Sequence, residues 1–178
     1  MPLPAQLILN GLETVNNRVG KTIRWFALIM VLLQFGIVLL RYLFGISFVF
    51  LGEGVLYMHA ALFMLGAGYT MVVDGHVRVD IFYAGFSQNK KAAVNLFGHI
   101  VFLLPMCAMI AWTSWRSVVN SWSILEGPIS VGGIPASFLL KSLIPAFCVL
   151  LFIQALVAIG RDASVLFGCN KNSAESIE

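Results

Sequence analysis

The sequence predicts an all-α integral membrane protein: four transmembrane helices, both termini on the cytoplasmic side, and an N-terminal amphipathic helix along the membrane interface. Three observations predict it. Four charge-free runs, residues 25–40, 54–73, 92–115 and 142–160, are 16, 20, 24 and 19 residues long, close to the roughly 20 residues that cross a hydrocarbon core as helix. Only 11% of the residues are charged and 60% are hydrophobic, against about 25% charged in an ordinary soluble domain. Such a surface cannot face water. Finally, Lys and Arg are unequally divided between the segments that join the runs.

Ahead of the first run, Leu3, Leu7, Ile8, Leu12, Val15 and Val19 recur at roughly helical spacing, with Gln6, Asn10, Glu13, Asn16 and Asn17 between them. This predicts an amphipathic interfacial segment over residues 1–21. The competing reading is a frayed terminus, given Pro2, Pro4 and Gly11. The leader is polar and no small-residue cleavage site follows the first apolar run, so that run is expected to stay in the mature protein.

The four-helix membrane domain is predicted over 22–160, with spans near 22–44, 54–73, 92–115 and 138–160. Arg24, Arg41 and Lys141 reach the headgroups by snorkelling. Helix is required in these runs because lipid offers no partner to backbone N–H and C=O groups, and none of the runs alternates as a barrel strand does. Gly54, Ala61, Gly68 and Gly75, at intervals of seven with Ala60 and Ala67 beside them, give span two a face that a neighbouring helix can approach closely, either inside the bundle or on a partner. Pro105 is expected to kink span three, whereas Pro145 lies near the start of span four. Residues 161–178 read as a polar cytoplasmic tail.

Eight basic residues, Arg18, Lys21, Arg24, Arg78, Lys90, Lys91, Arg161 and Lys171, fall on one side of this arrangement, and three, Arg41, Arg116 and Lys141, on the other. The positive-inside rule places the eight in the cytoplasm. The outer side then carries a short link, 45–53, and a longer one, 116–136.

Several function classes are disfavoured. The few basic residues form no stripe, so nucleic-acid binding is not expected. All eight acidic residues lie at or beyond the ends of the apolar runs, so no mid-bilayer carboxylate supports ion-coupled export by this chain alone. His59 and His99 could ligate a haem in a respiratory anchor subunit, but they lie about 10 Å apart in depth, and hydrogen bonding to neighbouring helices is the simpler role. Cys107, Cys148 and Cys169 show no CxxC or metal-ligand spacing and read as small core residues.

One set of motifs is more specific. Arg41-Tyr42-Leu43-Phe44 closes span one, Glu53 opens span two, and Leu65-Gly66-Ala67-Gly68-Tyr69 leads to Asp74-Gly75-His76-Val77-Arg78-Val79-Asp80. Trp122-Ser123, Glu126, Ser130, Gly132-Gly133-Ile134-Pro135, Leu140-Lys141, Ile144-Pro145 and Gln154 follow. Across most of its length the chain thus resembles the small, DctQ-like membrane subunit of tripartite ATP-independent periplasmic (TRAP) transporters. Gly52 and Val73 depart from the pattern, where an aromatic and a basic residue are usual.

The resemblance implies a scaffold in the bacterial inner (cytoplasmic) membrane that performs no chemistry and holds no cofactor. Its implied partners are a large multi-span membrane subunit, which moves an organic acid with sodium by an elevator motion, and a periplasmic solute-binding protein; membrane phospholipid is a further partner. It also directs attention to eight positions as structural or subunit contacts. Arg41 and Glu53 flank one outer link and are candidates to pair. His76, Arg78 and Asp80 lie at the inner end of span two, where an H-x-R-x-D run offers too few ligands for a metal. Trp122 and Glu126 occupy the long outer link. Lys141 either snorkels or meets lipid phosphate or a partner's helix end. Trp25, Trp112, Trp115 and Trp122 are placed to fix depth at the interfaces.

Overall fold

A computed structural model of the chain describes residues 3–76, 83 and 85–172. Those residues form helices and short connections: α1 (Leu3–Phe44), α2 (Val49–Val72), α3 (Gln88–Gly98), a π-helical turn (His99–Leu103), α4 (Leu104–Ser123) and α5 (Ser137–Asn172). The turn joins α3 to α4 end to end. Among the described residues there are therefore four helical rods, and each is long and apolar enough to cross a membrane.

The rods outrun the expected spans. α1 is a continuous 42-residue helix, about 63 Å long at 1.5 Å per residue and twice the roughly 30 Å of a hydrocarbon core. The boundary expected near residue 21 is not a break, so the N-terminal segment continues span one rather than forming a separate element. α5 likewise runs past residue 160 to Asn172, which makes the first part of the expected tail helical. The two extensions meet. Glu13 on α1 accepts a hydrogen bond from Arg161 on α5, so each protruding end has the other to pack on. The first turns of α1 and the last turns of α5 consequently lie at the same end of the bundle.

α5 is the central rod and packs against every other helix. Its Cys148, Leu150, Leu151, Ala155 and Val157 are buried, whereas α1 and α4 leave Trp25, Phe35, Met109 and Trp112 exposed, as suits helices whose solvent is lipid. Of the small residues of α2, Gly54, Ala61 and Gly68 face the bundle. Gly54 sits against Leu33 and Ile134, and a Cβ on Gly68 would stand 2.5 Å from Asn16 Oδ1. A Cβ on Gly20 of α1 would overlap the Tyr69 ring of α2. Close approach of α1 to α2 depends on these glycines.

A buried amide pair fastens the same region. Asn16 is fully buried and Gln154 nearly so, and Asn16 Nδ2 donates to Leu150 O at 3.2 Å and to Gln154 Oε1 at 3.1 Å. In a membrane such an interhelical bond is worth about 0.6–2 kcal/mol.

Pro105 has its effect one turn earlier than a kink centred on it. It lies within the continuous α3–α4 rod, directly after the π-helical turn, in which the Leu104 N–H reaches His99 O, five residues back; the widened turn accommodates the missing Pro105 N–H.

Candidate functional site

At the end of the bundle opposite the termini, the link between α4 and α5 is built as a pinned loop. α4 ends in a Schellman motif: Glu126 N–H donates to Ser121 O at 3.0 Å and Leu125 N–H to Trp122 O at 3.3 Å, with Leu125 at φ 44° in the left-handed region. Glycine is usual there, so leucine carries backbone strain. Farther on, Gly133 N–H donates to Ser130 O at 2.9 Å and Gly132 has φ +82°, which gives a four-residue turn whose third position needs glycine.

That turn faces Glu53. The Glu53 side chain is 6% exposed; its Oε1 accepts from Ser130 N–H at 2.8 Å and its Oε2 from Ile134 N–H at 2.7 Å. Gly133 lies so close that any Cβ there would overlap the carboxylate. α2 begins at Val49, so Glu53 is inside the helix rather than on the preceding link. This corrects the expected ion pair. Arg41 is exposed, and the Glu53 carboxylate is engaged by backbone N–H groups instead, because the loop offers it two charge-assisted bonds from prealigned donors.

Glu126 and Lys141 form a second pin. Lys141 Nζ and Ser121 Oγ each donate to Glu126 Oε2 at 2.5 Å. The hydrogen bonds, first from Lys141 and then from Ser121, hold the Glu126 carboxyl below the usual glutamate range. Lys141 thus directs one of its three N–H donors to its own chain's carboxylate. Trp122 Nε1 donates to Ser142 Oγ at 2.7 Å and its ring stacks edge-on with Phe138 at 4.8 Å, while Ser137 Oγ donates to Gly127 O at 2.5 Å.

Four of the eight sequence candidates, Glu53, Trp122, Glu126 and Lys141, thus converge on one link and join α2, α4 and α5. Arg41 does not join them. Ser121, Ser130, Gly133 and Ser137 complete the site; Ser130 and Gly133 belong to the sequence motifs without having been assigned a contact, and Ser121 and Ser137 were not anticipated. The Glu126–Lys141 pair left a signal, since these are the only charges between residues 117 and 160.

At the opposite end, α2 closes in another Schellman motif, with Gly75 N–H to Thr70 O at 2.8 Å and Asp74 at φ 53°. His76 is exposed; Arg78 and Asp80 lie outside the described residues. His59 lines a groove of about 700 Å³ between α1, α2 and α5. His99 lines a separate one of about 330 Å³ among α2, α3 and α5, with its Nε2 3.9 Å from Asp162 Oδ2. The two imidazoles do not converge on one site.

Chemically, the link is a clamp. Its charges are consumed by internal hydrogen bonds, which leaves Ile124, Leu125, Ile129 and Val131 exposed on a fixed frame. Compared with known proteins, residues 30–165 match the family model for the DctQ component of tripartite ATP-independent periplasmic transporters. No curated protein and no solved structure matches the chain.

Proposed function

The chain belongs to the DctQ component family of tripartite ATP-independent periplasmic transporters, and from that premise we propose that it is the small, fixed membrane subunit against which a large subunit moves. In this reading the large subunit carries an organic acid together with sodium by an elevator motion, and a periplasmic solute-binding protein delivers the substrate. Both termini of the small subunit face the cytoplasm of a bacterium, and the α4–α5 link faces the periplasm.

The observation that carries this reading is the family match over most of the chain. The construction of the bundle agrees with it. A support must resist deformation, and the rods here are fastened at both ends by Glu53, Glu126–Lys141 and Glu13–Arg161. A support also needs no ionisable path through the bilayer, and all eight carboxylates lie near or beyond the ends of the apolar runs.

Reconstitution tests the proposal. Liposomes containing this chain alone should show no sodium-dependent uptake of organic acids. Those containing it with its large subunit, supplied with the binding protein, should show uptake that is lost when this chain is omitted. Uptake by the large subunit and binding protein without this chain would refute it.

A further inference from the structure

Two apolar troughs adjoin at the terminal end of the bundle. One, of about 700 Å³, runs between α1, α2 and α5 and includes Ile23, Arg24, Phe63 and Leu151 in its wall. The other, of about 300 Å³, is formed by Arg18, Val19, Thr22, Ile23 and Leu65. Ile23, itself 6% exposed, is common to both. Each trough therefore has its own arginine, and Lys21 lies between them in sequence.

Among the described residues, no acidic side chain pairs with the charges of this edge. Arg18, Lys21 and Arg24 are all exposed, and among the described residues the ion pairs of arginine and lysine join other groups: Glu13 with Arg161 and Glu126 with Lys141. Among the described residues, no acidic side chain lines either trough. Spaced three residues apart on one helix, the three cations fall within an arc of about 120°. An apolar double trough with a basic edge matches the shape and charge of a two-chain anionic lipid, and basic pockets between transmembrane helices favour such headgroups.

We propose that this edge binds one anionic phospholipid, with its phosphate at Arg18, Lys21 and Arg24 and its acyl chains in the two troughs that share Ile23. The lipid acts as a filler and electrostatic tie at the place where α1 leaves the hydrocarbon region, in the leaflet nearest the termini. The site needs only a membrane-spanning chain and no transport partner, so it stands or falls separately from the proposed function.

Native mass spectrometry of the full chain in mild detergent, titrated with phosphatidylglycerol or phosphatidylcholine, tests this. Phosphatidylglycerol should be retained at least tenfold more tightly. Each of Arg18→Gln, Lys21→Gln and Arg24→Gln should weaken it about fivefold while leaving phosphatidylcholine unchanged, and glycerol phosphate, which lacks acyl chains, should not compete. Equal retention of the two lipids, unchanged selectivity in the variants, or competition by glycerol phosphate would overturn the site. So would loss of the bound phosphatidylglycerol on assembly with the large subunit, which would show a protein helix in the troughs instead.

Discussion

Glu53 of α2 and Ser130 of the α4–α5 link, 77 residues apart in sequence, meet through a 2.8 Å hydrogen bond from the Ser130 amide to the Glu53 carboxylate. With the matching bond from Ile134, it makes a buried acid the anchor of a loop rather than a partner for a base. Glu53→Gln replaces one acceptor oxygen by a donor amide facing a backbone N–H, so one buried donor loses its partner, at about 1–3 kcal/mol. Thermal melts in detergent should show that loss, with faster proteolysis of the 124–136 link. Arg41→Gln, at an exposed position outside the clamp, should leave both unchanged.

The Glu126–Lys141 pin should show in the pH dependence of stability. A carboxyl held below its ordinary pKa contributes stability that is fully present above the unfolded value, near 4.5, and is lost as pH falls through the lower folded value. Melting temperature should therefore hold from pH 7 to about 5 and decline below that. In Glu126→Gln the decline should be shallower, as measured by fluorescence-monitored melting at each pH.

Leu125 stands where glycine is favoured, at φ 44°. Because its side chain is exposed, Leu125→Gly should relieve about 1 kcal/mol of backbone strain at small cost in packing. Gly132→Ala, at φ +82°, should destabilise by a similar amount. Opposite shifts in melting temperature would verify both turns.

Gly68→Ala should be among the more damaging small changes in the chain. Its Cβ would stand 2.5 Å from Asn16 Oδ1 and 3.2 Å from Leu150 Cβ, and overpacking of this kind costs about 1–3 kcal/mol. Gly66→Ala, with open space at its Cβ, serves as the control in the same melting experiment.

The membrane architecture was legible because hydropathy and charge placement act along the chain: the runs around Phe35, Met64, Met109 and Leu150 declare themselves without reference to neighbours. The clamp was legible only in part. Glu53 and the lone charges Glu126 and Lys141 stand out, but the partners of Glu53 are backbone amides, which carry no residue-type signal. The expected Arg41–Glu53 pair failed for that reason. The extended parts of α1 and α5 are joined by contacts such as Asn16 with Gln154 and Glu13 with Arg161, between residues more than 130 positions apart. Periodicity within one segment cannot reveal them.

The most direct test of the account is the composition of the complex that an affinity-tagged form of this chain brings out of its native membrane in mild detergent. The account predicts a single large multi-span membrane protein in stoichiometric amount and no Soret absorption. Recovery of the chain with a flavin- or iron–sulfur-containing protein, or with a haem lost on changing His59 or His99, would contradict it.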